Sequence, residues 1–218
     1  MPHSAIPNVP AQHLARVAAL LAQGNGRKLL GLAGAPGSGK STLALRLQRA
    51  FADVTQVVPM DGFHLANAEL HRLGRSQRKG APDTFDADGF VALLRRLRSQ
   101  RDDEIVYAPA FHREIEEAVA GAIPILPQTR LIIAEGNYLL LDDGPWARVA
   151  PLLDEVWYVE VDDQLRNRRL AQRHEAFGRS RQEALAWVAQ TDAPNALLIE
   201  ASRPRASHLF RWDEGAAA

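Results

Sequence analysis

GAPGSGKST, residues 34–42, lies between a short apolar run, KLLGLAG (28–34), and LALRLQRAF (43–51), whose Leu43, Leu47, Ala50 and Phe51 recur at helical spacing. The nine residues contain G-x-x-x-x-G-K-[ST] in the strand-to-helix context that gives the pattern its meaning. Glycines at Gly34, Gly37 and Gly39 let the backbone N–H groups of Gly34, Ala35, Gly37, Ser38 and Gly39 turn around phosphate oxygens, while Pro36, which has no N–H, shapes the same loop. Lys40 is placed to reach the β- and γ-phosphates and Ser41 to ligate Mg²⁺, and ATP is expected on residues 34–42, Thr42 included. A glycine-rich turn can match this pattern by accident. The flanking elements favour a nucleoside triphosphate cradle, and a lysine here is no by-product of abundance: of 26 basic residues only Lys28, Lys40 and Lys79 are lysines.

Outward from the cradle, apolar strands and amphipathic helices alternate. Residues 11–23 place Leu14, Val17, Ala18 and Leu21 on one face and stop at Gly24. Strands are expected at 53–60, 130–135 and 155–161, and a helix at about 87–99 with Phe90, Leu93, Leu94 and Leu97 on one side. Continuous apolar strands taking turns with helices predict a parallel sheet covered on both faces, the three-layer α/β fold of P-loop NTPases. Residues 75–84 and 101–129 read as irregular or hairpin-forming excursions, and such insertions often carry function. The expected organisation is one domain over 1–218, with an N-terminal helical extension (1–27) and a lid helix (162–179).

Composition bounds the partners. The chain has 218 residues, 26 acidic and 26 basic side chains and no cysteine. Zero net charge gives no general attraction to nucleic acid or to a membrane surface. The absence of cysteine excludes disulfides and thiolate chemistry. No apolar stretch reaches the roughly 18 residues of a membrane span, so a cytoplasmic location is expected. A small-molecule partner and a homodimer are both compatible with this composition.

The cradle specifies phosphate but not the reaction. A guanine-selective N-K-x-D would need Asp two residues after a lysine, and those positions hold Leu30, Thr42 and Ala81. No L-S-G-G-Q-like transporter signature occurs either. A kinase remains, and it needs a group to orient or deprotonate an acceptor hydroxyl and cations to stabilise the moving phosphoryl. In PMDGFHL (59–65), Asp61 follows the strand after the cradle helix, so it either forms an Asp-Gly turn or projects beside the γ-phosphate. Glu135, at the end of LIIAE, either holds Mg²⁺ or faces solvent. Arg166, Arg169 and Arg173 share one helical face, which is either a solvated stripe or a lid over the nucleotide.

GAPGSGKST, PMDGFHL, RKGAPDTFD, VYAPAFHREIEE and IIAEGNYLLL together resemble the P-loop kinases that include uridine kinase, pantothenate kinase and phosphoribulokinase. The resemblance, over about residues 28–205, extends to bacterial proteins labelled as fructose transport system kinases or as nucleoside/nucleotide kinase family proteins. It implies ATP- and Mg²⁺-dependent transfer to a hydroxyl of a small metabolite; a nucleotide-binding regulator or a P-loop ATP hydrolase is the alternative. It implies Asp61 as the base, and Arg169 and Arg173 match its lid arginines; with Lys40 of the cradle these are the expected catalytic cations, and Ser41 and Glu135 are the expected metal ligands on the residue reading above. It also assigns residues 78–86, including Lys79, with Tyr107, Phe111 and Arg113, to the acceptor pocket. Tyr107 and Phe111 either stack on a ring or fill the core. His64 either bonds an acceptor hydroxyl or caps backbone, and Asn137 and Tyr138 follow Glu135 into the same region. Similar proteins carry an acid where this chain has His112.

Overall fold

The computed structural model describes residues 8–212; the outer ends of the expected 1–218 domain, residues 1–7 and 213–218, lie outside the described residues. Five parallel strands, β1 (Lys28–Ala33), β2 (Thr55–Pro59), β5 (Leu131–Gly136), β6 (Glu155–Glu160) and β7 (His208–Arg211), form one sheet in the order β2-β5-β1-β6-β7. β3 (Val106–His112) and β4 (Glu117–Ile125) make a separate antiparallel hairpin from the long second excursion.

The sheet strands read as nearly unbroken apolar runs because both of their faces are covered. Alternate residues divide between two cores. Leu30, Leu32, Leu131, Ile133 and Trp157 meet helices α1 (Ala11–Ala22) and α2 (Lys40–Ala50) on one side. Leu29, Val58, Ile132 and Tyr158 meet α4 (Ala87–Arg98) and Ile199 of α7 (Ala193–Ser202) on the other. This is the expected three-layer arrangement. All four residues named for the α4 face are buried, and Asp86 caps the helix by accepting from the Gly89 N–H at 2.8 Å.

Two faces are rotated from expectation. In α1 the buried residues are His13, Val17 and Leu20, while Ala18 is exposed, because the helix docks through the tilted His13 ring, 4.7 Å from Phe210 and 5.7 Å from Trp157. In α2, Ala44 joins Leu43 and Leu47 in the core and Ala50 is exposed. β2 is shorter than the expected 53–60. It stops at Pro59, and a single 3₁₀ turn (Met60–Phe63) carries the chain away.

The remaining helices are α3 (Asn67–Arg72), α5 (Asp163–Ala176) and α6 (Arg181–Trp187), with a π turn over Val188–Asp192 joining α6 to α7. The expected lid segment is α5, capped by Asp162, which accepts from the Leu165 N–H at 2.9 Å. Among the described residues no helix is long and apolar enough to cross a membrane.

Candidate active site

Strand order creates the site. β5 lies between β1 and β2, with Ala33 opposite Gly136 and Pro59 opposite Glu135. The glycine loop leaves the carboxyl end of β1, Glu135 sits near the end of β5, and Asp61 follows the end of β2 by two residues. Residues far apart in the chain therefore meet at the carboxyl end of the sheet, where ligands bind in open parallel sheets. They line a cavity of about 1140 Å³.

The loop is shaped for an anion. Gly39, the residue before α2, has φ +93°, which an L side chain seldom adopts, and a Cβ there would stand 2.8 Å from Trp212 Nε1. The free N–H groups of the first α2 turn and the positive end of its dipole face the same space. Pro36, Gly37, Gly39, Lys40, Ser41 and Thr42 form its wall. Of the other loop residues, Ser38 and Ala35 are buried, and Gly34 packs against the Val159 backbone. Ser38 Oγ is buried without a hydrogen-bond partner.

Lys40 is buried, and its Nζ donates to the Ala35 carbonyl at 3.0 Å. Burial lowers its pKa to about 8, despite the opposing pull of Glu135 and Asp61, and Arg173 lowers it further. Ser41 Oγ donates to Glu135 Oε1 at 3.1 Å. Burial, and the nearby Asp61 charge, raise the Glu135 pKa, with Lys40 and Ser41 opposing. A buried cation bonded only to its own loop, a glycine cradle, and two adjacent oxygen ligands fit a polyphosphate with a divalent cation. Mg²⁺ commonly takes only one or two protein oxygens beside phosphate and water, so the pair suffices.

Opposite the cradle, Asp61 is half-buried, and Arg113 Nη2 lies 3.5 Å from its Oδ2. His64 Nδ1 lies 2.8 Å from the Asp61 carbonyl oxygen, which can only accept, so Nδ1 carries the proton. Burial lowers the His64 pKa, which keeps the ring neutral and leaves Nε2 as an acceptor. The imidazole lies between Phe85 (4.0 Å between centroids) and Phe111 (4.7 Å). Gly62 follows Asp61 for a steric reason. A Cβ there would come within 2.3 Å of the Pro109 carbonyl oxygen, where the hairpin crosses the 3₁₀ turn.

Lys79, Phe111, Arg113 and Asn137 line the cavity as expected, with Asn67, Phe85 and Glu116 beside them. The 75–84 loop is pinned by Tyr138 Oη, which donates to the Gly80 carbonyl, and by Trp146 Nε1, which donates to the Pro82 carbonyl at 3.1 Å. Tyr138 is therefore a buried anchor and not a pocket residue.

Tyr107 is a correction. It is exposed and lies outside the cavity wall. On a regular strand Tyr107 and Phe111 would share a face, but the two stand on opposite sides of an irregularity in the hairpin, where the pairing passes from Ala108 with Ile123 to Ala110 with Val119. His112 is likewise exposed, opposite Glu117. On α5, Arg169 and Arg173 line the cavity, whereas Arg166 pairs with Asp163 at 2.6 Å and packs against Gly37. Burial, followed by the nearby Arg113 charge, lowers the Arg173 pKa.

Two features escaped the sequence reading. Trp212, at the end of β7, overhangs the cradle. His174 Nε2 lies 2.9 Å from Asp192 Oδ2 on the cavity wall, joining α5 to the π turn. The isolated aromatic after HLFR was the only available signal for the first, and nothing local marks a π turn.

A glycine cradle with its lysine, an acid beside the cradle serine, a second acid across the gap and two arginines on an overhanging helix define a P-loop small-molecule kinase. Comparison with known proteins agrees. The chain belongs to the phosphoribulokinase / uridine kinase family, whose profile matches residues 29–196. A Schizosaccharomyces pombe protein named a "putative uridine kinase" is 38% identical over 185 residues, covering 80% of this chain and 78% of the relative. The crystal structure of a "putative fructose transport system kinase" from Silicibacter sp. TM1040 superposes with a TM-score of 0.82 at 39% identity, covering 90% of this chain and 98% of that one. YFH7 from Saccharomyces cerevisiae, at 19% identity and a TM-score of 0.80, shares the fold.

Proposed function

We propose that this kinase transfers the γ-phosphoryl group of MgATP to a hydroxyl of a small metabolite, a sugar, nucleoside or pantothenate-like alcohol. The observation that carries the reading is the convergence of Lys40, Glu135 and Asp61 on one cavity from the ends of three neighbouring strands. Lys40 and the loop N–H groups hold the polyphosphate. Mg²⁺, when bound beside Ser41 and Glu135, neutralises charge on the β- and γ-oxygens.

Asp61 orients the acceptor hydroxyl and takes its proton. Phosphoryl transfer has a loose transition state, so positioning and charge stabilisation supply most of the rate, and Asp61 needs little basicity. Arg169 and Arg173 supply positive charge from α5, which closes over the nucleotide and excludes water.

The test is coupled ADP release with MgATP across a panel of sugars, nucleosides and vitamins. Acceptor-dependent release supports a kinase. Release that needs no acceptor indicates a hydrolase, and ATP binding without release under any condition indicates a nucleotide-binding regulator.

A further inference from the structure

Asp192 is a buried acid for which the transfer chemistry has no use. It is 8% exposed, lines the cavity, and closes the π turn between α6 and α7. Burying a carboxylate is costly unless a partner answers it. The partner is His174 of α5, whose Nε2 lies 2.9 Å from Asp192 Oδ2, with the two side chains 16% and 11% exposed. A carboxylate oxygen only accepts, so Nε2 carries the proton.

The π turn makes this meeting possible. Trp187 and Asp192 are five residues apart and would stand about 140° apart around a regular α-helix. The wider i→i+5 winding, with the Ala193 N–H donating to the Val188 carbonyl, brings them towards one side. Both then reach the same imidazole, the Trp187 ring meeting it at a steep angle with 6.4 Å between centroids. Trp187 is itself braced by the Arg179 guanidinium, 3.7 Å from its ring centroid. Single π turns recur at functional sites.

α5 has few other anchors. Of its 14 residues only Leu170 and Ala171 are buried. His174 adjoins Arg173 in the chain, so a grip on the imidazole fixes the rotation of the helix and with it the direction of the arginine. Arg173 lines the cavity and, among the described residues, forms no ion pair; Asp192, Asp61 and Glu116 favour its charge only from longer range.

We propose that Asp192 is a positioning residue: from its π turn it clasps His174 and so holds α5 with Arg173 aimed into the cavity. Neither Asp192 nor His174 touches the reacting atoms in this role. The inference rests on the kinase reading and adds to it the contact that sets the lid.

The experiment reads the helix and the reaction separately. Hydrogen exchange over residues 163–176 is followed in the full chain with Mg²⁺ and a non-hydrolysable ATP analogue. His174→Ala and Asp192→Ala should each speed exchange there by about 10-fold or more. With the acceptor that gives the highest ADP release, kcat should fall about 10- to 100-fold, while KM for ATP and for the acceptor changes less than about 3-fold. In an Arg173→Met background the same two changes should lower kcat by less than about 3-fold, because the group they position is gone. His174→Gln, whose amide can donate in place of Nε2, should recover most of the loss. Asp192→Asn, which keeps the shape and drops the charge, stands in with the same signs if Asp192→Ala does not fold.

Unchanged exchange over α5 overturns the inference, as does a kcat that matches the wild type in both variants. So does an Asp192→Ala rise in acceptor KM that His174→Ala does not share, which would make Asp192 a contact of the acceptor. A loosened α5 in both variants, in a protein that forms no ADP with any acceptor, would leave the clasp standing and count against phosphoryl transfer.

Discussion

Ser41, the first residue after the cradle lysine, donates a hydrogen bond to Glu135 on the neighbouring strand at 3.1 Å. The bond ties the amino end of α2 to the carboxyl end of β5, and it aligns two oxygen-bearing side chains that lie 94 residues apart.

If that pair holds Mg²⁺, Glu135→Gln should keep the hydrogen bond and lose the charge. The expected outcome is a 10- to 100-fold higher Mg²⁺ requirement at fixed ATP, read from initial rates over a metal titration. An unchanged metal dependence would place the cation elsewhere.

The lowered Lys40 pKa has a measurable consequence. At about 8 in the free protein against an ordinary 10.5, the folded state holds fewer protons than the unfolded chain between those values, so this residue makes stability rise with pH across about 8 to 10.5. A bound polyphosphate favours the ammonium and raises the pKa again. Binding of ATP near pH 8 should therefore take up on the order of half a proton, seen as a dependence of the calorimetric enthalpy on the ionisation enthalpy of the buffer. Lys40→Met should abolish this dependence and weaken ATP binding.

Gly62→Ala would drive a methyl group into the Pro109 carbonyl, 2.3 Å from its ideal position. Both partners are backbone, so the hairpin has to move. The cost should be about 1–3 kcal/mol of stability, read by denaturant titration. Phe111 and Arg113 ride on that hairpin, so KM for the acceptor should rise several-fold more than KM for ATP. Equal changes in both would show that the hairpin does not shape the acceptor chamber.

What the sequence reveals about this protein follows the range of the forces involved. α4 was legible because four apolar residues, Phe90, Leu93, Leu94 and Leu97, repeat at helical spacing. The cradle was legible because its chemistry is local, whereas 101–129 read only as an irregular or hairpin-forming excursion, and the structure makes it the β3–β4 hairpin. Tyr107 is exposed on the far side of the hairpin irregularity between Ala108 and Ala110 from Phe111, and that irregularity is set by pairing across the hairpin, which local sequence does not display. α7 escaped detection for a related reason: leucines cover its exposed side too, Leu197 at 74% exposure, so no apolar stripe stands out. The approach of Asp192 to His174 depends on a π turn between two helices, and such meetings depend on tertiary packing.

The account turns on Asp61 facing the far end of a polyphosphate held by Lys40, and Asp61→Asn tests this most directly. The substitution keeps size and hydrogen bonding while removing the proton-accepting charge. With the acceptor that gives the highest ADP release, kcat should fall about 10²- to 10⁴-fold, while the Kd for ATP changes less than about 3-fold, within the scatter expected for a group outside the cradle. Turnover that survives in Asp61→Asn with ATP still bound would contradict the account.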